Sequence, residues 1–335
     1  MRACTFGAET TPLILVDGIW AKLECVNPTG SVKDRIARYI LSRSAALGLL
    51  RPGMEIIEAT SGNTGIALAH FGRAMGCKVT IVMPENMTEE RKEAIRALGA
   101  ELVLCSEEGS FAEAAALRDR LAAERGAFNP DQFSNPFNVD CHRETTGREL
   151  LLQLEAEGLG LPDAFVAGVG TGGTLIGVGQ ALREANPKAL IVAVEPEESA
   201  VMSGGPAGPH AIYGIGDGFI PALAGDGQGG LHPLIGEVIR ISGGEARNAA
   251  RRIGEDHGFC VGISSGANFL AAQQLRRRGL SVATVFADGY AKYASEGLHH
   301  CLPGRCPFEH DSVLDPILAR HGLAHAAAPA GAAAW

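Results

Sequence analysis

From Met54 onward, short apolar runs alternate with segments of helical period, and this alternation restricts the chain more than any other feature. Met54-Ala59, Val79-Met83 and Glu101-Leu104 read as strands, with Asn63-Met75 and Thr88-Leu98 as the helices between them. The strands lack clean period-two alternation, so both of their faces are buried, as in a parallel sheet covered by helices. A second run follows: strands Ala164-Val169, Leu190-Val194 and Val282-Phe286, and helices from about Gly173 to Glu184, Glu245-Asp256 and Ser265-Arg278. The expected class is α/β with two domains, each a mostly parallel twisted sheet flanked by helices. Two wound sheets leave a cleft between them.

A length of 335 residues suits two domains, and Asn-Pro-Asp and Asn-Pro-Phe interrupt the pattern between Pro130 and Asn138. The expected division is a smaller mobile domain over 24–137, a larger one over 1–23 and 138–298, and a C-terminal tail over 299–335. Residues 196–230 are rich in Gly and Pro and too long for an ordinary connection, which points to a functional loop. No repeat is visible beyond the βα alternation. A net charge of −9, with basic runs no longer than Arg276-Arg277-Arg278, argues against a nucleic-acid partner. No stretch approaches the roughly 18 apolar residues of a membrane helix, and the N-terminus lacks the layout of a secretory signal, so the expected location is cytoplasmic. Eight cysteines, mostly scattered through apolar segments, fit reduced buried thiols.

Four turns carry polar or glycine-rich chemistry. The first, Asn27 to Arg35, contains Lys33, one of only six lysines, with Ser31 as the expected N-cap of a helix running to about Leu47. An ammonium in the first turn of a helix opposes the helix dipole, which lowers its pKa. A neutral amine is what bonding to an aldehyde requires, although a solvated surface lysine explains the same position taken alone. The second turn, Thr60-Ser61-Gly62-Asn63-Thr64-Gly65, places hydroxyls, an amide and backbone N–H groups at a helix start, an anion site or a plain cap. The third, Val169 to Thr174, has three glycines and two threonines but neither a P-loop lysine nor dinucleotide spacing, which suits a single phosphoryl group. The fourth is Gly262-Ile263-Ser264-Ser265-Gly266-Ala267. All four are expected at carboxyl ends of parallel strands, where open α/β sheets bind ligands.

With these motifs in order, from Thr11-Pro12-Leu13 to about Ser295, the chain resembles the cysteine synthase and cystathionine β-synthase family of fold-type-II pyridoxal phosphate enzymes, whose fold is tryptophan synthase β-like. Ser203 to His210 and Gly214 to Pro221 strengthen the likeness. The resemblance implies that Lys33 holds pyridoxal 5'-phosphate as an internal aldimine and acts as the catalytic base. Asn63 would bond the ring hydroxyl, and Gly170, Thr171, Gly172, Gly173 and Thr174 would cradle the phosphate. Ser264 would face the pyridine nitrogen; Thr60, Ser61, Asn63, Thr64 and Gln132 would bind the substrate carboxylate, and Gly214 would border the substrate.

The implied activity is β-replacement: O-acetylserine and sulfide give cysteine and acetate through an α-aminoacrylate. Cystathionine β-synthase-like or diaminopropionate-forming chemistry is an alternative, and a non-catalytic regulatory or binding protein on this scaffold is the alternative of another class. A homodimer and a complex with serine acetyltransferase are further implications of the family. Departures are a short N-terminal link and Asp217 where O-acetylserine enzymes often carry alanine. That carboxylate is expected near the entrance, attracting amines, unless it is a solvated loop residue. The segment from Ala287 to Ser295 matches the family's closing motif only loosely. His299 to His310 holds metal-ligand residue types without a common zinc spacing; no metal is expected, with a zinc site or a Cys301-Cys306 redox pair as the sharper readings.

Overall fold

The computed structural model describes residues 10–60, 62–106, 111–293, 296–298 and 313. In chain order they form β1 (Leu13–Val16), β2 (Ile19–Leu23), α1 (Lys33–Ala46), β3 (Glu55–Ala59), α2 (Asn63–Ala74), β4 (Lys78–Pro84), α3 (Glu89–Ala97), β5 (Glu101–Cys105) and α4 (Phe111–Arg125). There follow α5 (Pro136–His142), α6 (Arg148–Ala156), β6 (Ala164–Gly168), α7 (Gly173–Ala185), β7 (Leu190–Pro196), β8 (Glu237–Ile241), α8 (Gly243–His257), α9 (Ile263–Arg277) and β9 (Val282–Phe286).

Two sheets result. One has the order β1-β2-β9-β6-β7-β8, the other β3-β4-β5, and every pairing is parallel except β1 with β2. The fold class is therefore the expected one. Ile56, Ile57, Val79, Thr80, Ile81 and Val82 are all buried, which is why β3 and β4 read as unbroken apolar runs. Ile66 and Phe71 of α2 share one core with Ile56 and Ile81, each burial contributing about 1.5–3 kcal/mol. Cys25, Cys77, Cys105, Cys141 and Cys260 are buried, as expected of cysteines scattered through apolar segments.

Two local expectations are corrected. Ser31 stands one residue further out than a cap directly before α1: Val32 lies between with helical angles (φ −56°, ψ −19°), and from there the Ser31 hydroxyl makes the capping bond, accepting the Lys33 N–H at 3.3 Å. The fourth turn does not follow a parallel strand. Gly262 to Ala267 comes after α8, and Val261 makes only an isolated bridge to Gly289, so the turn reaches the cleft from the helical layer. Edge strand β8 and the whole of α4, α5 and α6 were outside the sequence-based expectation. No described helix is long and apolar enough to cross a membrane.

A buried ionic cluster fixes the start of α1. Arg35 donates to Glu24 through Nε (2.7 Å) and to Glu149 through Nη1 and Nη2 (both 2.7 Å). Lys22 reaches Glu149 at 3.0 Å and the Thr11 carbonyl at 2.6 Å. Such a network ties β2, α1 and α6 together two residues from Lys33, and its members must keep their partners because an unpaired buried charge is costly.

Candidate active site

A cleft lies where the four turns meet. Lys33, Thr60, Asn63, Thr64, Gln132, Gly170, Thr171, Gly172, Thr174, Gly214 and Ser264 all line it. Gly173 starts α7 behind this wall, and Ser61 lies outside the described residues. Segments more than 200 residues apart thus line one cleft.

Lys33 is the first residue of α1 and the one lysine among the lining residues. Its ammonium is held below the usual lysine range chiefly by burial, opposed by the carboxylates of Asp217 and Asp288. Desolvation is thus the main cause of the shift. The turn before it is braced from within: the buried Asp34 carboxylate accepts from the Thr29 N–H (2.6 Å) and the Thr29 hydroxyl, and burial pushes its pKa up to about 6.

On one wall, the Thr64 hydroxyl donates to Gln132 Oε1 at 2.6 Å, and Gln132 Nε2 donates to the Ala59 carbonyl at 3.3 Å. Asp131 makes this possible by turning the chain with φ +47°, a conformation that Asp tolerates better than most side chains. Behind it the buried Glu58 accepts from the Gln132 N–H (3.1 Å), the Ala59 N–H (2.9 Å) and Arg118 Nη1 (3.2 Å). Burial raises its pKa to about 7 against the pull of Arg118.

On the opposite wall, Gly172 adopts φ +87° and α7 opens with its N–H groups toward the cleft mouth. A Cβ at Gly170 would lie 2.3 Å from the Gly214 carbonyl oxygen, and one at Gly173 would lie 1.9 Å from Asn138 Oδ1. Both positions need glycine. Asn138 Nδ2 joins the two walls, donating to the Gln132 carbonyl (2.8 Å) and to Thr171 Oγ1 (3.0 Å).

Several residues of the site were missed or doubted at the level of sequence. Asn63 Nδ2 donates to Asp288 Oδ2 (2.8 Å), which also accepts from the Tyr293 hydroxyl (2.8 Å). Asn63 Oδ1 accepts from the buried Lys292 ammonium (2.8 Å), which further reaches the Thr29 and Gly30 carbonyls. With Oδ1 taken, Asn63 keeps one amide proton for a ligand. The loosely matching segment after Ala287 therefore enters the site; its usable signal was a second scarce lysine beside an aspartate and a tyrosine. Arg91 crosses the cleft, its guanidinium 4.7 Å from the Tyr213 ring centre and 5.3 Å from that of Tyr293. Phe111, Phe133 and Phe219 cluster at the edge, with ring centres 4.5–5.9 Å apart. Asp217 is partly exposed on its loop and lines the cleft, where burial raises its pKa against the pull of the Lys33 charge. Among the described residues no cluster suited to a metal is present, and the His299 to His310 segment lies outside them.

A half-buried lysine beside a glycine-lined helix start with two threonine hydroxyls suits a phosphorylated aldehyde. Residues 5–286 match the family of pyridoxal-phosphate dependent enzymes. The chain belongs to that family. It is a pyridoxal-phosphate-dependent enzyme. It is 43% identical to a cysteine synthase of Staphylococcus aureus over 284 residues, 84% of this chain and 89% of that one. Among solved structures, a hydrogen sulfide-producing enzyme of Fusobacterium nucleatum aligns with TM-score 0.78 and 38% identity, covering 84% of this chain and 83% of its own. An O-acetylserine-dependent cystathionine β-synthase of Helicobacter pylori aligns with TM-score 0.80 and 34% identity over 87% of this chain and 96% of its own.

Proposed function

We propose that the enzyme catalyses β-replacement on an activated serine, joining O-acetylserine and sulfide to give cysteine and acetate. The observation that carries this reading is the position of Lys33, half-buried at the start of α1 and lining the cleft between the wall that would bind a carboxylate and the wall that would bind a phosphate. The cysteine synthase and O-acetylserine-dependent relatives support the substrate class.

Bound pyridoxal phosphate supplies an electron sink for the charge that develops at the substrate α-carbon. The phosphate would rest on Gly170 to Thr174, and Asn63 would offer its remaining amide proton to the ring hydroxyl. Ser264 lines the cleft and Ser265 does not, its hydroxyl lying against the Ala287 N–H from which it accepts (3.0 Å), so Ser264 is the one of the pair that would face the ring nitrogen. A neutral hydroxyl there does not fix a proton on the ring, which favours elimination. Thr60, Ser61, Asn63, Thr64 and Gln132 would hold the substrate carboxylate, Asn63 and Thr64 through their backbone N–H groups at the start of α2, because their side-chain protons are committed elsewhere. Lys33, uncharged, takes the α-proton and returns it after the nucleophile has added to the β-carbon. In this reading residues 24–137 form the smaller domain, which moves inward on the bound carboxylate and excludes water. We also propose a homodimer; Leu15, 52% exposed on edge strand β1, leaves an apolar spot for a partner.

The test is to mix the purified holoprotein with O-acetylserine, O-phosphoserine or serine and record the cofactor spectrum together with release of acetate or phosphate. Spectral change and acetate release with O-acetylserine, followed by cysteine formation on adding sulfide, is expected. No release from any of the three would overturn β-replacement and leave a non-catalytic role. Homocysteine against sulfide then separates the cystathionine-forming alternative.

Asp217 favours a second nucleophile class, amines, because its carboxylate lies inside the cleft. Asp217→Ala is expected to lower the rate with amine nucleophiles about tenfold while sparing sulfide, the size of one lost charge-assisted contact. Equal effects on both would remove the amine reading. The same carboxylate stabilises the Lys33 ammonium, so its removal lowers the Lys33 pKa further. Cofactor capture by the apoprotein needs the neutral amine. Its pH midpoint should therefore move to lower pH in Asp217→Asn, measured by stopped-flow absorbance; a midpoint moved upward would contradict the assignment.

A further inference from the structure

His142 ends α5 and is bonded through both ring nitrogens: Nδ1 lies 2.9 Å from Thr146 Oγ1 and Nε2 lies 3.1 Å from Thr174 Oγ1. Both His142 and Thr146 are fully enclosed. The chain continues as a π-turn, Arg143–Gly147, a local widening of the helix that recurs at functional sites. Close approach to α7 depends on Gly177, where a Cβ would lie 2.7 Å from His142 Cβ and 2.4 Å from the Val139 carbonyl. Burial, with the nearby Lys33 and Arg35 charges, keeps the imidazole neutral.

A neutral imidazole has one N–H and one lone pair, so only two arrangements satisfy both threonines. If Nε2 accepts, the Thr174 proton is used up and the hydroxyl turns only lone pairs toward the cradle. If Nε2–H donates, Nδ1 accepts from Thr146 and the Thr174 proton is free. An anion beside Thr174 selects the second arrangement. We propose that His142 is a positioning residue, held by Thr146 as the Nε2–H tautomer, which presents the Thr174 hydroxyl proton to the cofactor phosphate. This rests on the reading of Gly170 to Thr174 as the phosphate site.

Nitrogen-15 NMR of the histidine-labelled holoprotein, with His142 assigned by its absence in His142→Gln, should find Nε2 protonated and Nδ1 bare. The opposite tautomer overturns the proposal, and this readout needs no variant of altered stability in the measured state. In parallel, cofactor dissociation and the phosphorus-31 resonance are measured for His142→Leu in the native and Thr174→Val backgrounds. His142→Leu is expected to weaken cofactor binding about tenfold in the first background and hardly at all in the second. His142→Gln, which can return an N–H near the Nε2 position, should recover most of the loss. Equal losses in both backgrounds make His142 merely structural and overturn the proposal. Unchanged affinity and phosphorus resonance in Thr174→Val alone overturn the phosphate-site reading and this proposal with it.

Discussion

Lys33→Ala is expected to abolish covalent attachment of the cofactor and to lower kcat/KM by roughly 10³-fold or more, since in the proposed mechanism one side chain serves both as the attachment point and as the proton carrier. The geometry leaves no ready substitute. Lys292 is a buried lysine near the cleft, but its ammonium is already engaged with Thr29, Gly30 and Asn63, and it does not line the cavity. Borohydride treatment of the native holoprotein followed by peptide mass spectrometry should place the reduced adduct on Lys33. In the variant no adduct should form, while the cofactor can still bind through the phosphate cradle. An adduct on Lys292 with activity retained would show that the wrong amine has been assigned. Added primary amines offer a further discriminator: a small amine that restores part of the rate to Lys33→Ala replaces the missing proton carrier without replacing the fold.

What the sequence carried, and what it could not, follows from the range of each interaction. The βα alternation is local and survived intact, and so did the turns that need glycine or a hydroxyl at a helix start, because their chemistry is written within six residues. Ser31 sits one residue further out than expected because the chain enters α1 already helical at Val32, yet its hydroxyl still accepts the Lys33 N–H as a cap does. The fourth turn was placed in the cleft for a reason that does not hold, since its path comes from α8, yet Ser264 lines the cavity all the same. Asn63 with Asp288 and Lys292 spans more than 220 positions. Such a polar network has no periodicity and becomes visible only once β9 lies beside the turn that carries Lys33. His142 was hidden in the same way: a lone histidine at a helix end is ordinary until α7 brings Thr174 to it.

Gly170→Ala is the second large effect expected, and it tests whether the two halves of the cleft are built as one unit. A Cβ at this position would lie 2.3 Å from the carbonyl oxygen of Gly214, far inside contact distance. Neither atom can easily give way. The Gly216 N–H holds the Val169 carbonyl at 2.9 Å, locking the 214–216 segment against the strand end, and Gly214 itself needs φ +89°. Overpacking of this kind costs about 1–3 kcal/mol, so a lower unfolding midpoint in denaturant is expected in the apoprotein. Cofactor affinity should fall by more than the tenfold set for His142→Leu, because the loop backbone rather than one hydroxyl is displaced. Gly172→Ala is the useful comparison. Its φ of +87° imposes backbone strain, and its Cβ would meet Ala224 at 2.8 Å, away from Gly214. If the close backbone approach matters for substrate as well as cofactor, Gly170→Ala should raise KM for the amino-acid substrate even when saturated with pyridoxal phosphate, and Gly172→Ala should not. Equal KM values in the two variants would mean that Gly214 borders the cradle alone and takes no part in shaping the substrate side of the cleft.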